Sequence, residues 1–494
     1  MTRLNQAQLD QLPSSVKVPQ YDRTKIAAGI VHLGIGAFHR AHQAFFTEAV
    51  LNQFGGDWGI IGCSLRSSAV REQLAPQDGL YTLASRGSDS KELQVIGAVK
   101  EVMVGPENPA ALIDVMASPA TKIVSLTVTE KGYCHNPATG DLNLQHPDII
   151  YDLKHPDAPR SAVGFIVAAL KKRRDRGIHS FTAMSCDNLP ENGEVLEKVV
   201  AQYAEQVDVS LAAWIKQHTR FPSTMIDRIV PATTDEDRAE IEARLGMRDQ
   251  GAVIAEPFAQ WVIQDTFSNG RPQWEAVGAL LVGDVRIFEK MKLRLLNGSH
   301  STLAYCGYLS GFDTISQVMC EPAFVKLVTT FMEREAGETL NVPAGFNVGH
   351  YQRQLRERFA NTSLKHRTWQ IAMDGSQKLP QRLLETLREQ IAGQGHIDIL
   401  CLAVAAWIRY VSGVDEMGQP IDVSDPLAAQ LRAACDASQG NPAAMVKSVV
   451  SMTEVFGNDL IQVAPFVEGT TRWLQSFYEK GVLTTVRNAF GNAA

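Results

Sequence analysis

Short apolar runs alternate with longer amphipathic stretches through the first half of the chain. The runs at 30–33, 59–63, 123–128 and 181–184 have the length and β-branched content of buried strands. Between them, the stretches 41–52, Pro109–Ala117 and 164–176 carry apolar residues at helical spacing. Strand–helix alternation of this kind predicts an α/β domain built on a mainly parallel sheet covered on both faces. Beyond about residue 285 the strand signal fades. Helical spacing then recurs at 288–296, 301–309, 323–336, 351–359, 382–392, 397–411, 426–437 and 469–480. The pattern predicts two domains, 1–285 and a mostly α-helical 286–494. Two segments read as loops: 341–349, with Pro343, Gly345 and Gly349, and 413–425, with Gly418 and Pro420. Pro426 suits the first position of the helix that follows. No internal repeat or low-complexity tract interrupts this organisation.

Composition narrows the class. Of 494 residues, 45% are hydrophobic and 20% charged, which is apolar enough for large cores and unlike a disordered chain. Lys+Arg is 47 and Asp+Glu is 54, a formal net charge of -7. That argues against a nucleic-acid partner but leaves room for a local basic pocket. The seven cysteines are odd in number and sparse, with no C-x-x-C, so a reducing compartment fits better than a disulfide framework or zinc ribbon. The first twenty residues lack an apolar signal core, and the apolar run 400–408 is far short of the roughly 20 residues that span a bilayer. The expectation is a cytoplasmic protein, a monomer or small homo-oligomer, with a small-molecule partner and neither nucleic acid nor membrane.

Gly34-Ile35-Gly36-Ala37-Phe38-His39 directly follows the first strand. This is a G-x-G-x-x-G fingerprint with histidine at the third glycine position. The first two glycines allow a tight turn and close backbone approach to a pyrophosphate, and the helix that follows can aim its amides at it. The turn points to dinucleotide binding on a Rossmann-like domain. The carboxylate expected about 20 residues later, on the ribose, is absent from the right place. Asp57 precedes the second strand, whereas the turn that follows it offers Ser64, Arg66, Ser67 and Ser68. The reading of NAD against NADP therefore stays open. His39 and His42 form an H-x-x-H pair with no third ligand pattern, and they read as packing histidines, so no metal site is expected.

Lys292, Asn297 and His300 stand at i, i+5 and i+8. On an α-helix they fall within an arc of about 140° and extend about 12 Å along the axis, enough to line one wall of a cleft. Spacing alone also fits a solvated basic helix face.

The run Lys292-Leu293-Arg294-Leu295-Leu296-Asn297-Gly298-Ser299-His300 resembles the K-x-x-x-x-N-x-x-H signature of the polyol-specific long-chain dehydrogenases, the mannitol dehydrogenase family. Segments 31–42, 125–133, 185–193, 221–231 and 373–382 resemble the same family, in the same order, and the likeness extends over about residues 20–480. The histidine at position 39 is itself the family's form of the fingerprint. The resemblance implies hydride transfer between a nicotinamide cofactor and a secondary alcohol or ketone, without zinc. It implies that Lys292 is the general acid–base, that Asn188 and Asn297 hold the reacting oxygen, and that His300 contacts a substrate hydroxyl. It further implies that Glu289 relays protons and that Asp227 lies in the substrate pocket. The cofactor is expected along Gly34, Ile35, Gly36, Ala37 and Phe38, with Arg66 and Thr129 beside it.

The chemistry agrees with those roles. Ketone reduction builds negative charge on oxygen, which two carboxamides can stabilise as an oxyanion hole. A lysine near its ordinary pKa of ~10.4 is a poor base at neutral pH and needs lowering toward roughly 7–8. Lys290, Arg294 and the oxidised nicotinamide push in that direction, and Glu289 pushes against it. Family substrates are mannitol/fructose, arabinitol/xylulose and the hexuronate pair fructuronate/mannonate. The hexuronates require a cation for their carboxylate. Arg367, Lys378 and Arg382 supply candidates, in a segment that resembles the fructuronate reductase form, as does 129–133. The leading expectation is fructuronate/mannonate, with mannitol 2-dehydrogenase, D-arabinitol 4-dehydrogenase and a catalytically inactive dinucleotide-binding protein as alternatives. The intact Lys292, Asn297 and His300 argue against the last of these.

Overall fold

The four apolar runs of the first half, joined by Val99–Val104, which the pattern did not mark as a strand, assemble into a five-stranded sheet in a computed structural model of the chain, which describes residues 1–87, 90–136, 139–342 and 347–491. Its strands are β1 Ala28–Leu33, β2 Gly59–Ser64, β3 Val99–Val104, β4 Ile123–Leu126 and β5 Thr182–Ser185. They lie in the order β3-β2-β1-β4-β5, with every neighbouring pair parallel. This is the order of a Rossmann sheet, and it reverses on either side of β1. The carboxyl ends of β1 and β4 therefore flank the switch point where open α/β sheets receive ligands.

Burial explains the near-continuous apolar strands. On one face, helices Pro109–Ala117, Ala162–Asp175 and Asn192–Val207 contribute Leu112, Phe165, Leu170, Leu196 and Val200 to the core over β1 and β4. On the other face, helix Gln43–Phe54 packs Ala44, Val50 and Leu51 together with Trp261 and Trp274. Asn108 and Ser161 cap two of these helices by accepting the Ala111 and Gly164 N–H groups. Two smaller sheets complete the first half. One joins Val16–Lys17, Lys91–Ile96, Tyr81–Arg86 and Val253–Ala255. The other joins Leu280–Val282, Gln260–Gln264 and Thr224–Asp227, which ends on Asp227.

The chain divides into two compact units, Met1–Arg286 and Ile287–Ala494. The second is helical, and its helix Asp398–Val411 is buried from Ile399 to Val411. Gly469 lets helix Ala464–Lys480 approach that helix, because a Cβ there would stand 2.9 Å from the Cys401 sulfur.

Several elements differ from the periodicity. The stretch expected as one helix from 41 is two, Ala37–Ala41 and Gln43–Phe54, broken at His42 with φ -127 and ψ -86. Pro426 lies in a turn before helix Ala428–Asp436, because the Asp425 side chain accepts the Leu427 N–H and its carbonyl accepts that of Ala428. Gly349 is helical, within Val348–Phe359, behind an Asn347 cap. Pro343 and Gly345 of the expected loop lie outside the described residues. Among the described residues of the second unit, three helical runs contain π segments: Lys292–Gly298, Phe331–Ala336 and Pro380–Leu384.

Candidate active site

The two glycines after β1 answer to different demands. Gly34 has φ +94, and a Cβ on it would collide with the Thr127 carbonyl at the end of β4. The fold itself therefore requires glycine there. Gly36 has a negative φ, is exposed, and a Cβ on it would meet only the Gly34 oxygen, 3.9 Å away. Its chain neighbours apart, no other described residue comes within 4 Å of that position, so the turn has room for a ligand backbone such as a pyrophosphate. Ile35 packs beneath, 1% exposed, against Gly62, while Ala37 and Phe38 are half-buried. At the third fingerprint position His39 stacks on His32 of β1, ring centroids 3.5 Å apart. His32 is in turn held by Ser125 Oγ at 2.8 Å and Thr127 Oγ1 at 2.9 Å. Burial pushes the His32 pKa down to about 3 and that of His39 well below its ordinary value, so the stack is neutral. Helix-to-strand contact is thus made by a pair of uncharged imidazoles where a glycine would bring the backbones closer.

The other expected cofactor residues lie at the same carboxyl edge. Arg66 is exposed in the turn after β2, whereas Asp57, before β2, accepts the Ala27 N–H at 3.0 Å and is a structural group. Thr129 follows β4 with φ 63 and ψ 168, a conformation that residues other than glycine rarely adopt. Asn188 follows β5 and is exposed. Asp227 is 3% exposed at the end of its strand. Sequence reasoning passed over Asp187, beside Asn188. Its carboxylate accepts the Val128 and Thr129 N–H groups at 3.0 and 2.9 Å and the Tyr133 hydroxyl at 2.8 Å. Burial pushes its pKa up to about 6, against the pull of those three donors. The signal available was the acid itself, inside the 185–193 segment, but its partners lie more than 50 residues earlier.

In the second unit, helix Arg286–Met291 passes into the π segment Lys292–Gly298 and then into helix Ser299–Leu309. The α-helical arc estimate for Lys292 and Asn297 therefore needs correction. In a π segment, with i→i+5 bonds, a five-residue step is roughly one turn, so both side chains leave near the same face. Glycine at 298 permits this packing, because a Cβ there would stand 2.9 Å from the Arg382 carbonyl and 3.1 Å from the Phe331 ring. Those two residues belong to the other π segments. Glu289, Lys292, Asn297 and His300 are 8, 8, 7 and 6% exposed. Asn297 Nδ2 is buried and finds no acceptor among the described residues. A buried amide donor left in this state calls for an explanation, and an absent ligand oxygen supplies one. The neighbouring cations share a counter-ion: Arg294 donates to both Glu389 oxygens at 2.7 Å, and Lys290 joins the same carboxylate at 3.0 Å.

His300 stacks on Phe359 at 4.4 Å and meets His366 edge-on at 5.0 Å. Burial drives the His300 pKa well below normal, and His366, Arg382 and Arg358 push it the same way. Burial, helped by Lys378, lowers His366 to about 4. Two neutral imidazoles are thus surrounded by cations. Arg382 donates to Ser301 Oγ at 3.2 Å, and Lys378 donates to the Met373 carbonyl. Arg367 has a different place: it is exposed, and its backbone bridges to Thr314. Phe359, Arg358 and Glu389 were not singled out from sequence, where each is an ordinary helix residue. Among the described residues one His/Cys/acid group has ligand-like spacing, Cys134, His146 and Asp148. It sits around a helix start where His146 Nδ1 already accepts the Asp148 N–H.

Fold and site together are those of dinucleotide-binding dehydrogenases that carry a separate helical domain. The chain belongs to the mannitol dehydrogenase family: the family's Rossmann domain matches residues 28–276 and its C-terminal domain residues 284–478. D-mannonate oxidoreductase of Escherichia coli K12 is 49% identical over 94% of this chain and 96% of its own. An uncharacterised oxidoreductase of the same strain, YeiQ, is 48% identical over 97% of this chain and 98% of its own. The structure of Pseudomonas fluorescens mannitol 2-dehydrogenase with NAD and D-mannitol superposes with a TM-score of 0.90 at 38% identity, covering 100% of both chains. No helix among the described residues is long and apolar enough to cross a membrane.

Proposed function

We propose that this protein is an NAD-dependent oxidoreductase that interconverts D-fructuronate and D-mannonate. The observation that carries the reaction type is the buried, acceptor-less Nδ2 of Asn297, one π turn from Lys292. Bound NAD supplies or accepts the hydride. In reduction the Lys292 ammonium gives its proton to the substrate oxygen, and in oxidation the neutral amine takes it back. Asn297 donates N–H to that oxygen as charge develops, and Asn188 is assigned the second carboxamide. His300, kept neutral by burial, hydrogen-bonds a neighbouring hydroxyl rather than acting as a charge. Glu289 passes the proton onward, and Asp227 accepts from a substrate hydroxyl. The cofactor reading is supported by the unfilled space over Gly36, with Ile35, Ala37, Phe38, Arg66 and Thr129 along the same edge. Arg66 leaves NADP open as a second cofactor.

The sugar-acid reading rests on Lys378 and Arg382, both felt electrostatically at the His300–His366 pair, and on the 49% identity to a D-mannonate oxidoreductase. Arg367, exposed, has a weaker claim to the same carboxylate. Likeness to a mannitol 2-dehydrogenase solved with D-mannitol supports a second reading, fructose/mannitol. NADH oxidation measured side by side with fructuronate, fructose and xylulose separates these. Fructuronate is expected to be turned over fastest, and in the reverse assay, NAD reduction, turnover of mannitol without mannonate overturns the first reading. Lys292→Ala is expected to abolish turnover while NAD binding survives, and near-normal turnover removes Lys292 from its role.

A further inference from the structure

One buried carboxylate ties together the two loops that leave the sheet after β4 and β5. Asp187 is 8% exposed. Its Oδ2 accepts the Val128 N–H at 3.0 Å and the Tyr133 hydroxyl at 2.8 Å, and its Oδ1 accepts the Thr129 N–H at 2.9 Å. The backbone of Asp187 is fixed as well. Its N–H donates to Ser185 Oγ at 3.3 Å, and its carbonyl accepts Asn192 Nδ2 at 2.9 Å. Asn192 also holds both the N–H and the carbonyl of Thr224, which anchors the loop to the strand Thr224–Asp227.

The conformation held in this way is a strained one. Thr129 at φ 63 and ψ 168 lies in a region essentially reserved for glycine. Such a residue persists only where its surroundings over-determine it. The carboxylate does so by taking the N–H of Thr129 and of the residue before it. Only a carboxylate answers this set of donors, because an asparagine would turn an N–H toward one of the three. Thr129 and Asn188, the two exposed residues flanking this carboxylate, are the ones assigned to the cofactor side and to the reacting oxygen.

We propose that Asp187 is a positioning residue for hydride transfer, locking Thr129 and Asn188 into one rigid unit at the carboxyl edge of the sheet. This rests on the function proposed above for Asn188. Asp187 touches neither substrate nor cofactor; it acts through its neighbours. A role in folding alone would lower the amount of folded enzyme without changing the chemistry of each active site.

The test is a double-mutant cycle on the full-length enzyme with NADH and fructuronate, normalised to active sites titrated with NADH. Asp187→Asn is expected to lower kcat by about 10- to 100-fold, the range of a misplaced reacting group. It should also raise the deuterium isotope effect with 4-deuterated NADH, since hydride transfer becomes limiting. In an Asn188→Ala background the same change should lower kcat less than about 3-fold, because the positioned residue that meets the reacting oxygen is already gone and Thr129 bears on the cofactor side, which the NADH titration reads. Tyr133→Phe removes one donor and keeps the backbone pair, so it should show a smaller loss that also vanishes in that background. This variant carries the cycle if Asp187→Asn does not fold. If Asn188→Ala alone leaves kcat unchanged, the reading of Asn188 fails and the proposal falls with it. If Asn188→Ala lowers kcat and the losses multiply, that reading stands and the proposal alone is overturned.

Discussion

Arg294 is clamped to Glu389 through two parallel hydrogen bonds of 2.7 Å, one from each terminal nitrogen. Lys290 shares the same carboxylate at 3.0 Å. Both cations flank Lys292 in sequence, so Glu389 opposes the positive charge they bring to that stretch of the chain. Removing the negative charge leaves two cations uncompensated and disfavours a third, which moves the acid limb of polyol oxidation to lower pH. Glu389→Gln is expected to shift the limb of the kcat/KM profile by about 0.3–1 unit. Glu389 is nearly half exposed, so screening keeps the accompanying stability loss near ~1 kcal/mol. A profile unchanged or moved to higher pH contradicts this account of the lysine's surroundings.

Gly34 and Gly36 should separate under the same substitution. Valine at 34 faces φ +94 and the Thr127 carbonyl, so Gly34→Val is expected to destabilise the protein by about 3 kcal/mol or more. Gly36 has extended backbone, φ -82 and ψ -173, which valine tolerates, and open space around its Cβ. Gly36→Val should therefore unfold within about 1 kcal/mol of the parent while weakening NAD binding about 10-fold or more. Thermal unfolding and NADH fluorescence titration check the pair. Full NAD affinity in Gly36→Val would mean the cofactor does not pass over this turn.

The first-half fold was legible where a buried strand stands out as a short apolar run, as at 30–33, 59–63, 123–128 and 181–184, whereas the strand Val99–Val104 was not, because Lys100 and Glu101 interrupt its apolar residues. The second half gave up its helices but not their hydrogen-bond register. In Lys292–Gly298 only Leu293 escapes burial, so no apolar stripe records whether the turn is α or π. The neighbours that Gly298 admits so closely there, Arg382 and Phe331, are distant in sequence. The same holds for the electrostatics. Lys290 and Arg294 read as unopposed cations because their counter-ion stands 95 residues beyond Arg294. The histidine pair went better: H-x-x-H read as packing, and the His39 ring does pack, on His32. The Pro426 reading failed because Asp425 supplies a side-chain turn that delays the helix start.

Buried titratable groups set opposing pH dependences. His32 and His366 have pKa values of about 3 and 4 in the fold against 6.5 unfolded, both through burial first. Between those values the unfolded chain binds protons that the folded protein refuses, so their contribution is lost as pH falls from 6.5. His39 and His300, also depressed by burial, act in the same sense. Glu335 acts oppositely. Burial raises its pKa from 4.5 to about 7, although it accepts the Ile399 and Leu400 N–H groups at 2.7 and 2.8 Å. The folded protein holds that proton more tightly, so this group adds stability as pH falls from about 7 to 4.5. Glu48 and Asp187, raised to about 6, add to it. Burial also lowers His135 and raises Asp152, Asp249 and Glu416, so groups of both senses are numerous and the share of one is isolated by substitution. Relative to the parent, Glu335→Gln should lose more stability as pH falls from about 7 to 4.5, because one group that gains stability there is deleted. Urea unfolding of both proteins between pH 4.5 and 7 measures the slopes, and a shallower slope in the variant contradicts the assignment.

Lys378 and Arg382 bear on substrate choice, and a ratio isolates that role from their structural one. Lys378 donates to the Ile371 and Met373 carbonyls, and Arg382 to Ser301 Oγ, so removing either cation disturbs local packing for any substrate. That disturbance lowers kcat/KM for fructuronate and fructose alike. A carboxylate, however, loses a charged partner that a neutral ketose never had. Removing one side of such a pair in a desolvated site costs about 2–5 kcal/mol, about 30-fold or more in kcat/KM. In Lys378→Met and Arg382→Met the fructuronate/fructose ratio of kcat/KM should therefore fall, by about 30-fold or more for whichever cation meets the carboxylate directly. Arg367→Met, at an exposed helix cap, should leave the ratio within about 3-fold, because a solvated cation contributes little. A ratio unmoved by all three substitutions means the sugar's acid group is not read by these cations, and the neutral-polyol reading then takes precedence.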